Sequence, residues 1–263
     1  MKILFIGDIF GKVGRKAVIE NLKNITKKNQ IDFVIANGEN TSHGKSISIE
    51  HYNDLKNAGI NFFTMGNHTW DNDEIFYLLQ NHNDIIRPCN IDDSFKESKV
   101  GSGSKVIKIK DKNIRITNLL GMSTKCHAQQ TNPFIAMQEI IKQDESDFHI
   151  VDFHTETTSE KKAFFLEFRG KVDMICGTHT HVQTADEQIS QDTGYITDVG
   201  MTGAKYSIIG ADPKEILAVF KNLAEKFHIK SGKGEYQFNS VIIEFDDKTN
   251  KIKSIQRCNI NNN

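Results

Sequence analysis

The chain has 263 residues, enough for one large α/β domain or two small ones, and either could bury a hydrophobic core. Its 33 basic and 34 acidic residues give a formal net charge of -1, which excludes an overall electrostatic attraction to nucleic acid or to anionic membranes. Its four cysteines lie far apart without a Cys-x-x-Cys pair, so the sequence indicates neither a disulfide framework nor a thiolate metal site.

The apolar segments and the linkers of the chain predict its cellular location and its number of domains. The apolar run at residues 1–6 is too short for the core of a signal peptide, and no run approaches the roughly 20 apolar residues of a membrane-spanning helix. We therefore expect a cytoplasmic protein without membrane contact. No linker is long enough to divide the chain, so we expect a single domain over residues 1–263, with a frayed tail at residues 259–263.

In the first half of the chain, buried strands alternate with amphipathic helices. Apolar runs at residues 2–6, 33–36 and 62–65 predict strands, and apolar residues at helical spacing predict helices at 15–28 and 49–58. Because strands joined through helices form parallel sheets, the carboxyl ends of these strands are expected at one edge.

Each of these strands ends in side chains that can bind a metal ion or a phosphate. Asp8 follows the first strand, Glu39 and Asn40 follow the second, and Asn67 and His68 follow the third. A single carboxylate in such a place is more often a helix cap or a turn residue. Chance does not readily explain why such side chains follow three consecutive strands.

Other signals place helices and hairpins. Asp71 is expected to cap a helix over residues 72–80. Short β-like runs at 105–110 with 114–120, and at 238–245 with 251–256, predict two antiparallel hairpins. Asp212 followed by proline predicts the start of a strongly amphipathic helix. Its apolar residues are expected to be buried: Ile216, Leu217, Phe220 and Leu223.

Histidines follow two later strands. A strand at residues 148–153 ends at His154, and an apolar run at 172–176 leads into Gly-Thr-His-Thr-His, which contains His179 and His181. Imidazoles two residues apart on a turn can bind two ions, or one ion and a substrate oxygen. His-x-His alone is a weak pattern, and a polar loop explains it equally well.

Together these residues predict a cluster of oxygen and imidazole donors along the strand ends. Without thiolates the set suits iron, manganese or zinc, and it is too large for one ion. Two ions bridged by Glu39, about 3.5 to 4 Å apart, would clamp a phosphoryl group and turn a bridging water into hydroxide. The cluster comprises Asp8, Glu39, Asn40, Asn67, His68, His154, His179 and His181.

The ordered motifs resemble those of the calcineurin-like metallophosphoesterases, and more closely those of the YmdB-like bacterial phosphodiesterases. In the wider superfamily the first motif is Asp-x-His, but Phe10 stands in the place of the histidine here, and Glu39 stands in the place of the bridging aspartate. The resemblance implies an α/β fold, a sandwich of two mixed β-sheets flanked by α-helices. It rests on Gly7-Asp8, Asn37 to Asn40, His43 to Lys45, Met65 to Asp71, Phe153-His154, Thr158 to Lys161, Gly177 to Asp186 and Tyr195 to Gly203.

The resemblance also implies roles for the site residues. It assigns Asp8, Glu39, Asn40 and His181 to one metal ion, and Glu39, Asn67, His154 and His179 to the other. His68 is the expected general acid, with the alternative that it only orients the bound phosphate. His43 is a candidate substrate contact. Iron or manganese is the expected metal, with zinc as the third choice. The remaining histidines match no motif and are interpreted as surface or packing residues: His51, His82, His127, His149 and His228.

The function implied by the resemblance is hydrolysis of phosphodiester bonds in small nucleotides, both 2',3'- and 3',5'-cyclic. A phosphomonoesterase or nucleotidase is the alternative within enzymes. A slow-turnover regulator that senses a nucleotide, or binds RNA or a protein, is a different class of alternative, although the chain has no basic stretch interleaved with aromatics. The sequence leaves the oligomeric state and the physiological substrate open.

Overall fold

A computed structural model describes residues 1–223 and 230–262. His228 and Asn263, for which the sequence made predictions, lie outside the described residues. Two mixed β-sheets pack against each other, and helices cover their outer faces, so the predicted α/β sandwich is confirmed. Within the described residues, no helix combines the length and the apolar character needed to cross a membrane.

The first sheet contains the three parallel strands predicted near the N-terminus. The strands are β1 (Lys2–Ile6), β2 (Asp8–Ile9), β3 (Phe33–Asn37), β4 (Phe62–Thr64), β11 (Met201–Ala204), β12 (Tyr236–Asp246) and β13 (Lys251–Asn261). Their order in the sheet is β2-β11-β12-β1-β3-β4, with β13 paired to β12. β1 runs parallel to β3, and β3 runs parallel to β4.

The second sheet contains the strands that carry the histidines. The strands are β5 (Ser104–Ile109), β6 (Lys112–Leu120), β7 (Phe148–His154), β8 (Met174–Thr178), β9 (Gln188–Ser190) and β10 (Thr193–Ile196). Their order in the sheet is β5-β6-β7-β8-β10-β9, and β6, β7 and β8 run parallel. Both predicted hairpins are confirmed, because β5 pairs antiparallel with β6, and β12 pairs antiparallel with β13.

Alternating side chains of the strands build separate cores on the two faces of each sheet. In β1, Ile3 and Phe5 pack between the sheets, whereas Leu4 and Ile6 pack beneath the helices. The helices are α1 (Gly11–Asn29), α2 (Ile49–Ala58), α3 (Glu74–Asn81), α4 (Pro133–Lys142), α5 (Thr158–Phe168), α6 (Pro213–Phe220) and a 3-10 turn (Lys96–Lys99).

The structure corrects the predicted tail. Residues 259–261 belong to β13 and pair with β12, where Asn261 lies opposite Gln237. The asparagine-rich composition suggested fraying, but a long antiparallel partner strand satisfies the backbone hydrogen bonds there. The prediction of a frayed tail is therefore wrong for residues 259–261.

Helix α6 begins where predicted but buries less than predicted. Asp212 Oδ1 accepts a hydrogen bond from the Lys214 backbone N–H at 2.9 Å, which caps the helix. Ile216 is buried, but Leu217, Phe220 and Leu223 are 42, 74 and 76% exposed. The amphipathic pattern was read correctly, whereas the expectation that its whole apolar face packs in the core was wrong.

Candidate functional site

The predicted site residues lie where the parallel strands of both sheets end. The first sheet supplies oxygen donors, which follow β1, β3 and β4: Asp8, Glu39, Asn40 and Asn67. The second sheet supplies nitrogen donors, which end β7 or follow β8: His154, His179 and His181. Contacts across the sheets bring all seven residues into two adjacent clusters, each of which combines donors from both sheets.

One cluster surrounds Nε2 of the buried His154. This atom lies 3.0 Å from Glu39 Oε1, 3.0 Å from Asn67 Oδ1 and 3.0 Å from His179 Nδ1. Single ligand atoms of Glu39, His154 and His179 all lie within 4.8 Å of one another. Four potential ligand atoms therefore face a common point.

Neighbouring residues fix which imidazole nitrogens carry protons. Thr178 Oγ1 donates to Asp152 Oδ1 at 2.6 Å, so it accepts from His154 Nδ1–H at 2.8 Å. Glu156 Oε2 accepts from His179 Nε2–H at 2.8 Å. The facing atoms, His154 Nε2 and His179 Nδ1, lie 3.0 Å apart, and in the neutral imidazoles that metal ligation requires, both would present lone pairs to a cation between them. The donor set fits a metal ion.

A second cluster surrounds Nε2 of His181. The Ile209 carbonyl accepts from His181 Nδ1–H at 2.8 Å, so Nε2 presents a lone pair. This lone pair lies 3.2 Å from Asn40 Oδ1 and 3.7 Å from Asp8 Oδ1. Asp8 Oδ1 is buried and has no hydrogen-bond partner among the residues that the structure describes. An orphaned carboxylate oxygen beside two further acceptors also fits a cation.

Gly66 leaves the space that the first cluster needs. A Cβ at this position would lie 2.3 Å from Glu39 Oε2 and 2.5 Å from His154 Nε2. These separations approach the length of a metal–ligand bond, about 2.0 to 2.2 Å for oxygen and nitrogen. Any residue other than glycine would place carbon where an ion would bind.

Burial and mutual charge perturb the titration of the cluster. Burial raises the pKa of Asp8. Burial also acts to raise the pKa of Glu39, but the charge of His154 outweighs it and lowers the pKa. Burial acts to lower the pKa of His154, but Glu39 outweighs it and raises the pKa to about 9. Burial and the charge of His154 lower the pKa of His179 to about 3, which keeps His179 neutral, as metal ligation requires.

His68 lies beside the first cluster and pairs with a carboxylate. Its Nδ1 is 2.8 Å from Asp71 Oδ2, and its backbone N–H donates to Glu39 Oε2 at 3.0 Å. Its side chain is 38% exposed and lines a cavity of about 510 Å³ together with His43 and Lys45. The prediction that Asp71 caps a helix is wrong, because α3 begins at Glu74 and Asp71 contacts His68 instead.

A buried ion pair holds the loop that carries His179 and His181. Lys161 Nζ donates to Asp198 Oδ2 at 2.6 Å and to the Thr178 carbonyl at 2.8 Å. The two histidines have left-handed backbones, with φ of 95° and 65°, so an anchor for their loop is needed. Our interpretation of the sequence missed this pair, although Lys161 occupies an apolar stripe position of α5, three, four and seven residues before buried phenylalanines.

Two named relatives match nearly the whole chain. A Mycoplasma pneumoniae protein named as a phosphatase/phosphodiesterase is 45% identical over 254 residues, which is 96% of this chain and 90% of the relative. A Bacillus subtilis protein named 2',3'-cyclic-nucleotide 2'-phosphodiesterase is 39% identical over 265 residues, 99% of this chain and 97% of the relative.

A solved structure agrees with these relatives. The crystal structure of a Mycoplasma pneumoniae protein described as a novel phosphatase matches with a TM-score of 0.96 at 44% identity, covering 99% of this chain and 93% of that one. Residues 4–258 match the family described as YmdB-like protein. The resemblance inferred from the sequence motifs is therefore confirmed, and the chain belongs to the YmdB-like protein family.

Proposed function

We propose that the protein is a dinuclear metal-dependent phosphodiesterase that hydrolyses small nucleotides, including 2',3'- and 3',5'-cyclic nucleotides. The observation that carries the proposal is the pair of adjacent clusters in which carboxylate, amide and imidazole ligand atoms converge; one of these atoms, Asp8 Oδ1, is buried without a hydrogen-bond partner among the described residues. The names of the relatives support phosphoester hydrolysis, and one of them specifies a 2',3'-cyclic nucleotide.

Two ions would share Glu39, as the family resemblance implies. Bound ions of this kind lower the pKa of water and neutralise the charge of a phosphoryl group. Oxygen and imidazole donors favour iron or manganese, with zinc as the third choice. One ion would be held by Asp8, Glu39, Asn40 and His181, and the other by Glu39, Asn67, His154 and His179.

His68 is the proposed general acid. Asp71 accepts the proton of Nδ1, which fixes the orientation of the ring. Nε2 can then hold the proton that the departing alkoxide takes. His43 and Lys45 line the same cavity and are proposed to contact the phosphate. If His68 only orients the phosphate, its loss will raise KM more than it lowers kcat.

The charge of the cavity favours a diester over a monoester. Among the described residues that line it, Lys45 is the only lysine or arginine. A monoester carries a second negative charge and would need further cations to balance it. A phosphodiester carries one charge, which two metal ions and one lysine can neutralise.

The test combines metal analysis with a substrate comparison. Protein purified without added metal is assayed by elemental analysis, and its rates on bis-para-nitrophenyl phosphate and para-nitrophenyl phosphate are compared before and after chelation. We expect about two ions per chain and metal-dependent turnover that favours the diester. A clear preference for the monoester would overturn the diesterase proposal. Absence of metal and of turnover after reconstitution would overturn the metal centre.

The regulatory alternative needs a separate test in cells. His68→Ala should remove turnover and leave the chain folded, because this side chain is at the edge of the cavity rather than in the core. If the variant restores every phenotype of a deletion strain, the cellular role is binding rather than hydrolysis.

A further inference from the structure

We propose that the apolar side of the cavity is a nucleobase subsite, so that the enzyme selects diesters that carry a nucleoside. The inference rests on the proposed function and specifies where the base of its nucleotide substrate binds. The apolar wall, as we call this side of the cavity, is formed by Phe10, Ile208, Ile209, Ala211, Ile216 and Phe220.

The apolar wall leaves large hydrophobic groups in water beside a polar site. Phe220 is 74% exposed and Ile209 is 53% exposed. Exposed groups of this size that line a ligand-sized cavity are typical of binding sites. Polar groups line the same cavity, among them His43, Lys45 and His68. A nucleotide has the same combination, since its base is a flat apolar surface and its phosphate is charged.

The apolar wall begins next to the proposed metal ligands. The carbonyl of Ile209 accepts a hydrogen bond from His181 Nδ1 at 2.8 Å. Ile209 is therefore in direct contact with a proposed metal ligand. The Phe10 ring meets the His181 ring edge-on, with centroids 5.7 Å apart and planes at 74°. A phosphate at the metal cluster therefore has an aromatic and aliphatic surface within the reach of its attached ribose.

Two glycines fix the Phe10 ring in the apolar wall. A Cβ at Gly44 would lie 2.8 Å from Phe10 Cζ, and a Cβ at Gly210 would lie 2.5 Å from Phe10 Cγ. Both glycines have left-handed backbones, with φ of 84° and 99°. Phe10 is thus held by close backbone approach on two sides, and it forms a fixed part of the cavity surface.

The chemistry of the apolar wall predicts tolerance for different bases. Its side chains offer no hydrogen-bond donor or acceptor. They can therefore bind a base by van der Waals contact and stacking, but they cannot distinguish bases by their hydrogen-bonding groups. Replacing adenine by uracil should therefore change kcat/KM less than removing the base does.

The experiment compares adenosine 2',3'-cyclic phosphate with methyl ribofuranoside 2',3'-cyclic phosphate, which has the same reacting group but no base. In wild-type enzyme the nucleoside ester should have the higher kcat/KM. Phe220→Ala should reduce this preference by about five- to 150-fold, mainly through KM, as expected for loss of an aromatic base contact. Leu223→Ala is the matched control, because Leu223 is 76% exposed but does not line the cavity. It should keep the wild-type preference.

An unchanged preference in Phe220→Ala, or equal kcat/KM of the two esters in wild-type enzyme, would overturn the subsite. If the wild-type enzyme hydrolyses neither ester, the proposed function fails. Calorimetric titration with adenosine monophosphate and ribose 5-phosphate then tests separately whether the apolar wall binds a base. Tighter binding of the nucleotide that Phe220→Ala abolishes would support the subsite. Equal affinities would overturn it.

Discussion

Gly66→Ala should remove metal from the proposed centre without unfolding the chain. The added Cβ would lie 2.3 Å from Glu39 Oε2 and 2.5 Å from His154 Nε2. Neither neighbour can retreat easily: Glu39 Oε2 accepts from the His68 backbone, and Thr178 holds His154 Nδ1. A normal carbon contact requires a shift of about 1 Å, and displacements of that size cost about 100-fold in activity. We expect less than one metal ion per chain and a kcat at least about 100-fold lower.

The assay is elemental analysis together with hydrolysis of bis-para-nitrophenyl phosphate and a thermal unfolding curve. Gly194→Ala is the matched control, since its Cβ would lie 2.3 Å from Ile252 Cδ1 and 2.7 Å from the Met174 sulfur, inside the core. That variant should lose stability but keep its metal. Wild-type metal content and turnover in Gly66→Ala would refute the reasoning, and so would metal loss in both variants in proportion to lost stability.

Three further substitutions test the contacts around the site and in the core. Thr178→Val removes the partner of His154 Nδ1 and should weaken metal affinity by about 10- to 100-fold in a competition titration; unchanged affinity would contradict the tautomer assignment. Asp71→Asn removes the carboxylate beside His68 and should lower kcat by about tenfold or more with little change in KM; a change confined to KM would instead indicate a phosphate-orienting role. Burial acts to raise the pKa of Asp144, but the His149 and Arg115 contacts outweigh it and lower the pKa. Asp144→Asn should therefore lower the free energy of unfolding by about 1.5 kcal/mol at pH 7. Denaturant titrations should show this difference shrinking below about pH 4, because the wild-type carboxylate then binds a proton more readily in the unfolded chain than in the folded one. A difference that stays constant with pH would contradict this assignment.

The positions of the site residues could be predicted because they depend on local pattern. Buried strands are short apolar runs, and parallel strands joined through helices bring their carboxyl ends to one edge. That rule alone placed Asp8, Glu39 and Asn67 together, and the same rule applied to β7 and β8 placed the histidines. The pairing of the two sheets, which brings these two groups of donors into contact, came only from the family resemblance.

Features that depend on what lies opposite a residue could not be predicted. The periodicity of α6 shows an apolar face but not whether that face meets the core or a cavity, so Phe220 was misplaced. An aspartate shortly before a helix fits a cap as well as a partner for histidine, so Asp71 was misassigned. Lys161 was overlooked because its partner, Asp198, is distant in the sequence.

The division of donors between the sheets has a thermodynamic consequence. Oxygen ligands come from the first sheet and imidazoles from the second, so each proposed ion would bind only when the sheets are docked in register. By linkage, an ion that binds the docked state alone adds RT ln(1 + [M]/Kd) to its stability, about 2.7 kcal/mol at 100 times Kd. Metal would then act as a crosslink between the sheets. The concentration of free metal would change how strongly the two sheets hold together as well as the activity of the site.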